Sequence, residues 1–140
     1  MPSFSAEREL LAPRADVWAF LAEPFHMSDW WPGITGIQPD RRGFSPGARW
    51  AIVGINRPSL LRKPNMSGAL LVLEVEPLSR ATWHLTGERM DVELRLKGTE
   101  PDRTLATLTV SAPWLVGLRR TLPRQALGRL HALCQTAATL

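Results

Sequence analysis

Three histidines and a single cysteine are the side chains of this sequence best suited to chemistry near neutral pH. They are candidates for acid, base, nucleophile or metal ligand. His26, His84 and His131 lie far apart and lack the i, i+3 or i, i+4 spacing of common zinc sites. No metal or other cofactor is therefore expected. Cys134, being alone, can form neither a thiolate cluster nor an internal disulfide, and it reads as a small buried hydrophobe. There is no G-x-S-x-G, phosphate loop or dinucleotide fingerprint. Asp91 and Glu93 look like an acid pair, but they alternate with Met90, Val92 and Leu94, which puts them on the wet face of a strand. The same alternation turns His84 outward if Trp83 and Leu85 face in. His131 differs, because it lies one helical turn from both Leu127 and Cys134 and so flanks an apolar stripe. It is the histidine expected to reach a cavity, and any catalysis is expected to depend on it.

The elements that must carry these groups follow from period and punctuation. Residues 3–11 alternate as a first strand, which Pro13 ends while opening a helix over residues 14–23 with Val17, Trp18, Phe20 and Leu21 on its buried stripe. Pro24 stops that helix, and residues 26–31 form a second short turn closed by Pro32-Gly33. The period then changes to two. Strands are expected over residues 34–38, 48–56, 67–76, 80–86, 90–97 and 103–111, with polar or proline-rich turns between them. A helix starts near Trp114, is kinked or restarted at Pro123, and carries Leu127, Leu130, Leu133, Cys134 and Ala137 on one face.

This order predicts an α+β fold: a curved antiparallel sheet of six to seven strands wrapped around the long C-terminal helix, with two short helices after the first strand. A curved sheet gripping one helix leaves room between them. The expected cavity walls are Trp31, Trp50, Ile52, Leu71, Leu73, Trp83, Val92, Leu130 and Cys134. Arg49 and Asn56, at the ends of one strand, could orient a ligand's polar end.

Composition narrows the function classes. The 140 residues suit one domain, 1–140, and 44% hydrophobic with 21% charged residues is the balance of a folded soluble chain. Six Trp, four Phe and no Tyr supply large apolar faces with few polar handles. The net charge is only +4, and the fifteen arginines are scattered without a basic run, so nucleic-acid binding is not expected. No charged-then-apolar leader opens the chain and no apolar run reaches bilayer length, so a cytoplasmic location without membrane insertion is expected.

Several local patterns carry a family likeness: Pro13-x-x-x-Val17-Trp18-x-Phe20-Leu21, Trp30-Trp31-Pro32-Gly33, Pro46-Gly47-x-x-Trp50, and Glu74-Val75-Glu76-Pro77 with Trp83 in the middle hairpin. With the closing helix they span nearly the whole chain. In them the chain resembles the helix-grip (START-like) superfamily, and within it the bacterial polyketide cyclase/dehydrase and lipid-transport group. The resemblance implies a hydrophobic ligand cavity. The leading expectation is binding of a small hydrophobic or aromatic molecule, lipid- or polyketide-like. A cyclase or dehydratase acting in the same cavity is the second reading. The third is a protein-interaction module using Leu60-Leu61 and the arginines around Pro123.

Overall fold

The computed structural model describes residues 3–52, 68–112 and 121–138, with side chains described as far as Gln135. Strand β1 (Ser3–Leu10) leads through Pro13 into helix α1 (Arg14–Ala22), a single 3-10 turn (Pro24–His26) and the short helix α2 (Met27–Trp30). Six further strands follow: β2 (Ile37–Gln38), β3 (Arg49–Ile52), β4 (Ala69–Glu76), β5 (Arg80–Leu85), β6 (Met90–Glu100) and β7 (Arg103–Ser111). Helix α3 (Leu122–Ala138) closes the fold. The strands form one antiparallel curved sheet in the order β1-β7-β6-β5-β4-β3-β2, a meander with the first strand added beside the last. This is the α+β architecture expected from the sequence.

Each helix is tied to the sheet by physical punctuation. Pro13 opens α1 with its carbonyl accepting from the Asp16 and Val17 amides. Beneath that junction, the fully buried Thr104 on β7 donates its hydroxyl to the Ala12 carbonyl at 2.9 Å. Helix α3 buries Leu122, Ala126, Leu127 and Leu130, a stripe at three- and four-residue spacing, and packs against β1, β7 and α2. Pro123 sits in its first turn, where a missing amide hydrogen costs nothing. The expected start near Trp114, the continuation of β3 beyond Ile52, Asn56 and the Leu60-Leu61 loop all lie outside the described residues. No helix of the described residues is long and apolar enough to cross a membrane.

β4 corrects the sequence reading. Its register shifts between Val72 and Glu74, a bulge at Leu73, so the inward face runs through Leu70 and Val72 and resumes at Val75. Leu71 faces outward opposite Arg49 and His84. Leu73 stands 48% exposed. Neither lines a cavity between sheet and helix. Strict two-residue alternation, counted from Leu71, cannot see an inserted residue.

Candidate functional site

The inner end of the sheet is closed by aromatic rings from four different elements. β5 turns Trp83 and Leu85 inward, β3 turns Trp50 inward, and α2 with the residue after it delivers Met27, Trp30 and Trp31. Trp30 meets Trp31 edge-on at 5.3 Å between centroids and Trp83 edge-on at 6.3 Å, while Trp31 lies 6.0 Å from Trp83. Phe44, carried on the turn between β2 and β3, bridges the rest: 5.6 Å from Trp18 of α1, 5.6 Å from Trp50 and 6.4 Å from Trp83.

Leu21, Met27, Trp30, Phe44, Trp50, Leu70 and Trp83 bound a notch of about 10 Å³, enough for roughly one water. Among the described residues no titratable side chain lines it. Of the three indoles lining it, Trp50 and Trp83 are not equivalent. Trp50 Nε1 donates to the Gly43 carbonyl at 3.1 Å, whereas Trp83 Nε1 is buried and finds no acceptor among the described residues.

A second, wider cleft of about 260 Å³ opens where α1 meets α3. Leu11, Ala12, Pro13, Asp16, Val17, Phe20, Leu133 and Cys134 line it. Burial pushes the Cys134 thiol up, away from the reactive thiolate. Phe20 is held there by His26, which stacks on its ring at 4.1 Å and bonds the Phe20 carbonyl through Nδ1 at 2.9 Å.

The structure separates the residues expected to share one cavity. Trp50 and Trp83 do meet at the aromatic notch. Trp31 is fully buried in the same ring cluster, and Ile52 packs half-buried against the core. Val92 and Leu130 are buried core residues that line neither opening, and Cys134 belongs to the other cleft. Among the described residues no side chain of α3 lines the notch; α1, α2 and the β2–β3 turn wall it instead. Leu21, Met27, Trp30, Phe44 and Leu70 were missed. Trp30 adjoins Trp31 in a visible Trp-Trp-Pro-Gly turn, but Phe44 sits in a polar turn and carries no periodic signal.

His131 is the main chemical correction. It is half-buried beside β1, with its Nδ1 accepting from Arg8 Nη2 at 3.4 Å, and it lines neither opening. Burial, then the Arg8 charge, holds its pKa below the ordinary histidine value. The neutral ring is thus the form the fold favours. The stability it contributes is complete above about pH 6.5 and falls as pH drops toward the depressed folded value. Denaturant titrations between pH 7 and pH 5 should show that decline in wild type, and His131→Gln should flatten it; an unchanged slope would refute the assignment.

The carboxylates expected on the wet face are there. Arg80 bonds Glu74 at 2.8 Å and Glu93 at 3.1 Å, Arg95 bonds Glu93 at 2.7 Å, and His84 pairs with Asp91 at 2.8 Å. Hydrogen bonds from Arg95 and then Arg80 hold the Glu93 carboxyl below its usual range, so it is no proton donor at neutral pH. Arg49, at the head of β3, is exposed, and its backbone amide donates to Asp40 at 2.7 Å. Among the described residues no three His, Cys, Asp or Glu side chains gather as a metal site.

No protein family and no curated protein matches the sequence. Solved structures do match in shape. A Thermobifida fusca protein solved by NMR superposes with a TM-score of 0.72 at 13% identity, over 97% of this chain and 95% of that one. A Nitrosospira multiformis protein gives 0.72 at 18% identity, over 99% and 100%. The Aha1 dimer from Colwellia psychrerythraea gives 0.68 at 12% identity, over 97% and 96%. At such identities the likeness is one of fold: this chain shares, end to end, the antiparallel sheet closed by a C-terminal helix that these proteins have.

Proposed function

We propose that this chain is a helix-grip (START-like) domain that binds a small, flat, hydrophobic or aromatic molecule, lipid- or polyketide-like. The observation that carries this reading is the aromatic notch. Rings from α2, β3, β5 and the β2–β3 turn converge on it, and its wall holds no ionisable group among the described residues. Such a wall suits an apolar body and penalises a charged one. The strand order, the closing helix and the end-to-end likeness to the solved structures support the superfamily reading. An enzyme of cyclase or dehydratase type would need a titratable group at the ligand. His131, Asp91 and Glu93 all point elsewhere, so binding is the better reading.

A naphthalene-type probe is expected to quench tryptophan fluorescence saturably, at one molecule per chain. Met27→Phe, which fills the notch, should weaken binding about tenfold, while Leu73→Ala on the outer face should leave it unchanged. Quenching that ignores Met27→Phe would move the site away from the notch.

A further inference from the structure

We propose, resting on the ligand-binding reading above, that the notch selects neutral aromatic molecules bearing a hydrogen-bond acceptor such as a ketone oxygen. Trp83 Nε1–H is the donor, and the ligand's ring takes the place now held by Phe44. Three observations converge on this assignment.

The first is the orphaned donor. Trp83 is 2% exposed, its Nε1 has no acceptor among the described residues, and a buried donor left unmade destabilises the unliganded protein. Trp50, on the same wall, has its indole satisfied by Gly43. The cluster therefore offers one unused polar contact in an apolar surround, the arrangement that fixes orientation and chemical class in small-molecule sites.

The second is the absence of charge. Leu21, Met27, Leu70 and the rings around them could not solvate an ionised ligand, so the acceptor must be neutral.

The third is the means of entry. About 10 Å³ admits no ring, so a lining group must leave. Among the described residues Phe44 is the only ring of the wall carried on a turn, and it is half-buried where Trp30, Trp50 and Trp83 are fully buried. Its neighbour Gly43, whose carbonyl accepts from Trp50, has a φ of +66°, a conformation that glycine adopts and leaves without a Cβ penalty. A ligand ring entering at that point inherits the tilted and edge-on ring contacts with Trp18, Trp50 and Trp83.

The test compares 2-acetonaphthone with 2-isopropenylnaphthalene, which share a carbon skeleton and differ in C=O against C=CH2, by calorimetry on wild type, Trp83→Phe and Phe44→Ala. The ketone-to-alkene affinity ratio should be about threefold to tenfold higher in wild type than in Trp83→Phe, because ligand desolvation cancels in the cycle. Phe44→Ala should bind both probes about tenfold more tightly, having no ring to displace. In wild-type protein the assigned Trp83 indole N–H resonance should lie further downfield with the ketone than with the alkene, whose ring current is the same, a readout that requires no variant to fold. Equal ratios with equal resonance shifts for the two probes would overturn the donor while leaving an apolar binding site standing. Unchanged affinity in Phe44→Ala would overturn the entry route. No binding of either probe to wild type or Phe44→Ala would sink the binding reading and this one together.

Discussion

Leu70→Ala is expected to lower the unfolding free energy by about 2–5 kcal/mol, while Leu73→Ala should change it by less than about 0.5 kcal/mol. The two leucines sit three residues apart in one strand, and their types give no reason to rank them. The bulge does. Leu70 is fully buried opposite Trp50 on one side and Leu85 on the other, so truncation leaves a cavity among residues that cannot collapse into it. Leu73 is the unpaired residue of the bulge and stands about half in water. Against a typical total of about 5–15 kcal/mol, the first change removes a large share of the stability and the second is within error. Urea denaturation of the two variants separates them directly. Comparable losses would mean that β4 keeps strict alternation and that Leu73 packs inward.

Gly68→Ala is the second large effect, at about 1–3 kcal/mol, and it acts through the backbone. Gly68 opens β4 with φ at +93°, a region that a Cβ makes costly, and a Cβ there would stand 2.5 Å from Thr86 Oγ1 and 2.8 Å from the Gly87 amide nitrogen. Thr86 has no freedom to retreat. Its hydroxyl accepts from the Ala69 amide at 2.8 Å, and its own amide donates to the Ala69 carbonyl at 2.9 Å. The Gly68 carbonyl in turn accepts from Ile52 at 2.9 Å, so displacement at residue 68 is felt in both neighbouring strands and under Trp50. Gly98→Ala is the matched control. It meets nothing within 4 Å and should alter stability by less than about 1 kcal/mol. Equal thermal midpoints for the two variants would show that the strain at residue 68 is absorbed locally.

Much of this fold was legible in the residues. β6 reads plainly because Met90, Val92, Leu94 and Leu96 alternate with polar partners over a stretch paired regularly on both sides, so local pattern and tertiary facing agree. Pro13, Pro24 and Pro32-Gly33 mark the ends of α1 and α2 because proline removes a donor and fixes φ whatever surrounds it. The sequence by itself thus determined the order of strands and helices among the described residues and the outward facing of Asp91 and Glu93, but not every boundary: β2 is only Ile37–Gln38 where residues 34–38 were expected.

The site was a different matter. Six of the eight β4 residues are apolar, so two phases fit equally well, and only pairing with β3 and β5 selected the one with a bulge. His131 flanks the apolar stripe of α3 as its spacing implies, yet the packing of that helix against β1 decided that its ring would meet Arg8. Phe44 lies in a turn of charged and small residues, and its worth comes wholly from Trp18, Trp50 and Trp83, which lie far from one another along the chain. Period and punctuation are local properties, carried by a few neighbouring residues. A notch wall and an unused indole donor are relations between residues that only folding brings together, so tertiary structure alone decided them.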